Sequence, residues 1–442
     1  MVELKRKIYD YLVSWKRTKQ NECLLVKGAR QIGKTFIIEK FGHEQYESFF
    51  EFNFVLDSEA CGIFEGSLKV EDLYKKISAY DGTHRLIPGK TLIFLDEIQE
   101  CANARTALKS FALDGKYDVI ASGSLLGIKY KNKRSRERHE PKSIPVGYER
   151  SVTMHSLDFE EFLWAMGVTE EAVAVLRDFY DRRECVPDVL DRRYSQSLCE
   201  YMIVGGMPTV VSAFRESGDF GPVQAEQEKI LAAYIDDIHK YAEGPDIQKI
   251  EDCYRAIPRI LAKENRKFKY AEVEKGGSER KYLSSVDWLC DASIAYKVEN
   301  VSTPEIPLKA QVKEGWFKLY LSDIGLLSAL YGVETKRLLY SGRLVGNAKG
   351  GLYENLLACL LARKGIPLHY YKTDDGRREI EFVFERDGGP IPVEVKASNG
   401  ATVSLNEFLD RKDVPYGFKF VSGNVGKSGK KITLPHYLAM FL

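Results

Sequence analysis

Apolar positions change their rhythm several times along the 442-residue chain, and each change predicts a different kind of element. Over the first twenty residues Leu4, Ile8, Tyr11, Leu12 and Trp15 recur at helical spacing among basic residues, which predicts a lead-in helix. From 23 to about 125 the pattern becomes strand, loop, helix, repeated. Cys23–Lys27 and Thr91–Leu95 are apolar runs with another at Tyr117–Ala121, Glu51–Phe54 is strand-like, and Phe36–Phe41 begins a helix. Runs without alternation predict strands covered on both faces, as in a parallel sheet between helices.

A polar, basic stretch at 129–142 breaks this pattern. From Phe159 to about Lys240 helical periodicity dominates, interrupted by Gly205-Gly206-Met207-Pro208, which predicts a helical lid or connector. Residues 245–300 hold three short helical stretches followed by an extended Ser293–Val298, a size that suits a helix-turn-helix module with a wing. After a polar link near 340–350, a helix is expected at 352–363. A hairpin then joins Glu379–Glu385 to Ile391–Lys396 around Asp387-Gly388-Gly389-Pro390.

Composition narrows the class. Hydrophobic residues make up 44% and charged residues 29%, as in a globular protein of two to four domains. No apolar run approaches the ~20 residues that span a bilayer, and the N-terminus has no apolar core or small-residue cleavage site, so neither a membrane protein nor a signal peptide is expected. The eight cysteines are scattered without C-x-x-C spacing, which predicts reduced thiols in a cytoplasmic protein rather than a zinc site. Net charge is +1, so any nucleic-acid partner must be argued from local patches.

The sharpest chemistry lies early. Gly28-Ala29-Arg30-Gln31-Ile32-Gly33-Lys34-Thr35 fits G-x-x-x-x-G-K-[ST] between an apolar strand and a helix. In such a loop backbone N–H groups face phosphates, the lysine reaches the β/γ-phosphates and the Thr hydroxyl ligates Mg²⁺. Downstream, Leu92-Ile-Phe-Leu-Asp96-Glu97 is a buried strand ending in two carboxylates. Asp96 is expected to hold Mg²⁺ through water and Glu97 to polarise the attacking water, which favours ATP hydrolysis over binding alone.

These segments, together with Ser122-Gly123-Ser124, Leu157-Asp-Phe-Glu-Glu-Phe162, Gly205-Gly-Met-Pro208 and Leu319-Tyr-Leu-Ser-Asp323-Ile-Gly325-Leu, resemble a large family of prokaryotic AAA-superfamily ATPases whose members carry a C-terminal domain of unknown function. The resemblance covers nearly the whole chain. It implies that Ser122, or Ser124, at the end of the strand beside the acid-bearing one, senses the γ-phosphate. Many relatives place a Gly-Arg pair after that strand as an arginine finger. Here the matching stretch is Pro145-Val-Gly-Tyr-Glu-Arg150, and the arginine is displaced.

A second acidic constellation follows at the C-terminus. Strand period two puts Glu394 and Lys396 on one face of their strand, and Glu381 on the polar face of its partner, with Glu354 on the preceding helix. Carboxylates and a lysine converging on one face could bind Mg²⁺ and activate water for phosphodiester cleavage. The set resembles the PD-(D/E)XK restriction-endonuclease-like core, with Glu381 where that core has Asp and no preceding Pro-Asp.

Candidate nucleic-acid contacts are the run Lys129, Lys131, Lys133, Arg134, Arg136 and Arg138 with Tyr130, the winged segment's Arg266, Lys267, Lys269, Lys275, Arg280 and Lys281, and the tail lysines Lys427, Lys430 and Lys431. The expected organisation is therefore α/β: a P-loop ATPase domain with a parallel sheet over 1–160, a helical lid or connector over 161–240, a winged-helix domain over 241–345 and a nuclease-like α/β domain over 346–442. The expected function is Mg²⁺-dependent ATP hydrolysis driving a switch that acts on DNA, in a protein that forms homo-oligomers or meets a protein partner. The alternatives are an ATP-dependent metal nuclease and a nucleotide-gated interaction or signalling switch.

Overall fold

The computed structural model describes residues 3–124, 147–397, 400 and 402–442. It divides into two units: Lys5–Ser156 with Asp291–Ser293, and Leu157–Cys290 with Ile294–Leu442.

The first unit runs α1 (Lys7–Thr18), β1 (Cys23–Gly28), α2 (Lys34–Gln45), β2 (Ser48–Asn53), α3 (Val70–Asp81), β3 (Thr91–Asp96), α4 (Ala102–Asp114), β4 (Asp118–Ser124) and β5 (Glu149–Thr153). The five strands are all parallel, in the order β2-β3-β4-β1-β5. One face of the sheet packs Phe50, Phe52, Ile93 and Leu95 against Leu108 and Phe111 of α4. The other strand positions, such as Leu24, Val26 and Phe94, are buried as well, along with Ile37, Ile38 and Phe41 of α2. Burial on both faces is why these strands read as unbroken apolar runs. Only β5, Glu-Arg-Ser-Val-Thr, escaped the pattern, because an edge strand has no need to be apolar. Because β4 sits between β1 and β3, the ends of all three strands share one edge of the sheet, where ligands of parallel sheets bind.

The second unit begins with helices α5 (Phe159–Ala165), α6 (Glu170–Arg182), α7 (Asp188–Val204), α8 (Pro208–Ser217) and α9 (Phe220–Tyr241). Three more follow, α10 (Asp246–Leu261), α11 (Tyr270–Val273) and α12 (Glu279–Asp291), and then the antiparallel pair β6 (Ala295–Val301) and β7 (Val312–Leu321). The chain continues through α13 (Ile324–Leu330), α14 (Val333–Tyr340), α15 (Asn347–Arg363), β8 (His369–Lys372), β9 (Glu379–Arg386), β10 (Gly389–Val395), α16 (Val403–Leu409), β11 (Gly417–Val421), β12 (Gly426–Ser428) and β13 (Lys431–Pro435).

Eight strands form one mixed sheet in the order β12-β13-β11-β10-β9-β8-β6-β7. The boundary expected between 345 and 346 therefore runs through a single sheet: Glu299–Val301 of β6 pairs in parallel with His369–Tyr371 of β8. The polar link that suggested a boundary is only the loop before α15. The helices expected as a connector pack into the same unit, and the Gln227 amide of α9 donates to the carbonyls of Ile203, Val204 and Gly325. The predicted hairpin is β9–β10, with a tighter turn than expected. Asp387 and Gly388, both at positive φ (51° and 76°), make a two-residue connection.

The segments Gly205-Gly-Met-Pro208 and Ser322-Asp-Ile-Gly325 meet around one buried carboxylate. Asp323 accepts from Gly206 N at 2.9 Å and Gly325 N at 2.9 Å, with the Arg363 guanidinium 3.6 Å away. Gly205 has φ 78°, and a Cβ there would lie 2.1 Å from Asp323 Oδ1. These motifs thus serve packing: only glycine lets the two backbones approach. Among the described residues the eight cysteines form no disulfide. Among the described residues no helix is long and apolar enough to cross a membrane.

Candidate functional site

β1 ends at Gly28, where the chain must turn into the loop. A Cβ at Gly28 would lie 2.4 Å from the Met154 carbonyl oxygen and 2.6 Å from Ile32 Cδ1, so the curvature requires glycine. Gln31 (φ 61°) and Gly33 (φ 86°) take left-handed conformations that wrap Ala29–Gly33 before α2 starts at Lys34. Arg6 Nη1 donates to Ile32 O at 3.0 Å and braces the loop from within the unit. Lys34 Nζ donates to Ala29 O at 2.7 Å and Gly28 O at 3.2 Å, folding its charge back over the carbonyls of its own loop.

The acid lies across this edge. Asp96, at the end of β3, is 1% exposed. Thr35 Oγ1 donates to its Oδ2 at 2.8 Å, Asn53 Nδ2 to the same oxygen at 2.9 Å, and Ser122 Oγ to Oδ1. Asn53 is held in turn, its side-chain oxygen accepting from Val55 N and Leu56 N at 3.1 and 3.0 Å. Glu97 follows in a left-handed conformation (φ 52°), half-buried, with the Gln99 amide donating to its carboxylate. Ser124 lies opposite Gly28 in the β1–β4 ladder. Loop, Thr35, Asp96, Glu97 and Ser122 are thus brought together on one sheet edge, with the sensor candidate Ser122 turned toward Asp96.

A hydroxyl and a carboxylate are hard oxygen donors of the kind Mg²⁺ takes, and a helix N-terminus behind a glycine loop favours phosphate. The residues present fit a magnesium–nucleotide pair, with Thr35 and Asp96 on the cation and Gly28–Thr35 on the phosphates. Asn53, Gln99 and Arg6 belong to the same constellation and were missed from sequence; the one signal was a polar residue closing an otherwise apolar strand at Asn53. Arg150 sits elsewhere. It pairs with Leu24 near the start of β1, and its Nε lies 2.8 Å from Glu22, at the end of the sheet away from Gly28.

The C-terminal acids divide into two sets. Glu354 on α15 is saturated: Arg266 Nη1 at 2.6 Å, Tyr320 OH at 3.0 Å and Lys318 Nζ at 3.4 Å all donate to it. Lys318, buried in β7, also lies 2.7 Å from Glu379, which Lys372 meets at 2.5 Å. Burial alone would raise Glu379, but Lys318 and Lys372 hold it down to about 2. The second set is Glu381, Glu394 and Lys396, with Lys396 Nζ 2.8 Å from Glu394 and 3.3 Å from Glu381. Burial pushes Glu381 up to about 7, with Glu394 and Glu354 adding to the rise and Lys396 opposing it.

The sequence expectation of a joint Glu354, Glu381, Glu394 metal set is therefore not matched, because Glu354 is spent on Arg266, Lys318 and Tyr320. Among the described residues no group of three or more His, Cys, Asp or Glu is arranged to hold a metal ion. The basic run 129–138 lies outside the described residues. Arg266 faces inward to Glu354 rather than outward to a phosphate, and Lys281 pairs with Glu274.

Comparison with known families divides the chain in three. A family model described as an AAA domain matches residues 20–163, a domain of unknown function (DUF8612) matches 195–337, and another (DUF4143) matches 349–434. No curated protein matches the chain. Among solved structures, a Walker-type ATPase of Pyrococcus abyssi is similar at 13% identity and TM-score 0.44, covering 74% of this chain and 96% of that one. The replication initiator DnaA bound to AMPPCP and single-stranded DNA is similar at 11% identity and TM-score 0.30, covering 66% and 88%. A signal-transduction ATPase with numerous domains and a tetratricopeptide repeat sensor, from Pyrococcus horikoshii, follows at 13% and 0.28, covering 82% and 46%. The N-terminal third of this chain matches the AAA domain model, and its parallel sheet delivers the glycine-rich loop and the acid to one edge.

Proposed function

We propose that this chain binds ATP with Mg²⁺ and hydrolyses it, and that the hydrolytic cycle drives a conformational switch acting on DNA. In this reading Gly28–Gly33 cradle the phosphates through backbone N–H groups, Lys34 leaves its loop carbonyls for the β/γ-phosphates, and Thr35 and Asp96 hold Mg²⁺, which would neutralise phosphate charge. Glu97 orients and deprotonates water, and Ser122 relays the state of the phosphate end to Asp96. The observation that carries it is the Asp96 carboxylate, buried at the sheet edge with Thr35, Asn53 and Ser122 all donating to it.

The test is ATP turnover with and without duplex or single-stranded DNA, in wild type and Glu97→Gln. Hydrolysis in wild type and a loss of roughly 10²–10⁴-fold in Glu97→Gln, with nucleotide still bound, supports the reading. A wild-type rate in Glu97→Gln sinks the assignment of the base. The saturated Glu354 favours a nuclease-like sheet kept for binding over a metal nuclease working through Glu354, Glu381, Glu394 and Lys396. It also keeps in play a nucleotide-gated switch with a protein partner, which absence of any DNA effect would leave standing.

A further inference from the structure

Four lysines from three separate chain segments lie near one another, beside the Glu379 carboxylate described above. Lys267 and Lys269 follow α10, Lys313 lies on β7 and Lys372 ends β8. β7 is the edge of the eight-stranded sheet. Lys267 Nζ lies 3.2 Å from the centroid of the Trp316 ring, and Lys313 Nζ lies 4.0 Å from the same centroid. One indole thus gathers two ammonium groups that would otherwise repel each other, since the ring face is the negative pole of its quadrupole. Beside them opens a cleft of about 470 Å³ whose wall includes Ser302, Lys313, Tyr371, Lys372 and Thr373.

The counter-charges are incomplete. Lys313 pairs with Asp374, on the cleft wall, and Lys372 with Glu379, which buried Lys318 already shares. Lys267 has no carboxylate partner among the described residues. Its surroundings push it down to about 8, through burial first and then Lys269, Lys313 and Lys372. A cluster of cations that raise one another's energy is relieved when an anion arrives. Lys313 on β7 and Lys372 on β8 flank β6 at this end of the sheet, and Lys267 and Lys269 come from the segment between α10 and α11, with hydroxyls and an indole among them. Ammonium groups drawn from three segments, two on one indole and two on a cleft wall, suit a polyanion with several phosphates better than a single small anion.

We propose that this edge of the sheet binds the phosphodiester backbone of a nucleic acid, with Lys267, Lys269, Lys313 and Lys372 on phosphates and Trp316 holding the ammonium groups in place. The contact is sequence-independent, because phosphates carry no base information. It rests on the DNA reading proposed above and assigns that reading a surface.

Fluorescence anisotropy of labelled duplex and single-stranded DNA on the full chain tests it, across a salt series. The variants are the double substitution Lys267→Gln with Lys269→Gln, Trp316→Ala, Trp316→Phe, and, as control, Lys229→Gln at an exposed position of α9. The double variant should bind roughly tenfold more weakly, with the slope of log K against log salt reduced by about 1.4–1.8, as expected for two lost phosphate contacts. Trp316→Ala should weaken binding while Trp316→Phe and Lys229→Gln keep it, and ATP turnover without DNA should not change. If wild type binds and the double variant binds equally with the same salt slope, the surface is wrong and the DNA reading stands. If wild type binds neither DNA form, the DNA reading itself falls.

Discussion

Thr35 Oγ1 and Asn53 Nδ2 converge on the same oxygen of Asp96, from 2.8 and 2.9 Å, so the first turn of α2 and the end of β2 orient one carboxylate together. Asn53→Ala removes a hydrogen bond to a charged group, worth about 1.5–3 kcal/mol. The expected result is a loss of roughly 10- to 100-fold in kcat/KM for ATP, with a raised Mg²⁺ requirement. Steady-state turnover over a Mg²⁺ titration checks this; an unchanged Mg²⁺ dependence would show that Asn53 does not position Asp96.

Arg150 is tied to Glu22 at the end of the sheet away from Gly28. Arg150→Ala should therefore leave ATP turnover within about twofold of wild type, since Arg150 lies at the opposite end of the sheet from the glycine loop and its partly exposed ion pair contributes only about 1 kcal/mol or less. A drop of the size that follows loss of an arginine finger, roughly 10³-fold or more, would contradict the placement.

Glu381 gives stability a pH signature. Its folded-state value, about 7, lies above the ordinary 4.5, so the folded chain holds a proton that the unfolded chain releases. Its stabilising contribution is full below about pH 4.5 and is lost as pH rises through 7. Glu394, Glu354, Lys318 and Lys396 surround it, and Glu379 works in the opposite sense. Glu379 is held near 2, so its contribution is present above about 4.5 and lost as pH falls toward 2. Melting temperatures from pH 5 to 8 should decline less steeply in Glu381→Gln than in wild type; parallel curves would refute the assignment.

Gly205→Ala forces a side chain to within 2.1 Å of Asp323 Oδ1 at a φ of 78°. Strain and steric conflict together should cost roughly 2–4 kcal/mol. Urea unfolding monitored by circular dichroism reads this as a lower midpoint; an unchanged midpoint would mean that the two backbones can separate freely.

The loop was legible because its chemistry is local: eight consecutive residues between a strand and a helix carry both the geometry and the charge. Asp96 and Glu97 were legible for the same reason. Asn53 was not, because strand register brings it to Asp96 across 43 positions of sequence. Arg266 read as a phosphate contact until the fold paired it with Glu354, 88 positions away. Nothing in the sequence pattern singles out Lys318, and only the sheet shows it buried between Glu354 and Glu379. The nuclease-like pattern was read correctly as a hairpin, yet spacing alone could not reveal that Glu354 had already been satisfied by neighbours from other segments.

The parallel ladder between β6 and β8 has a consequence for anyone dividing this chain. A fragment ending near 345 would leave β6 paired with β7 alone, and the complementary fragment would leave β8 paired with β9 alone, each presenting unpaired N–H and C=O groups along a raw edge. The segments matched by the two families of unknown function are separate in sequence but woven as one fabric. Neither could be exchanged for a foreign counterpart unless the newcomer supplied a strand in register with Glu299–Val301 or with His369–Tyr371.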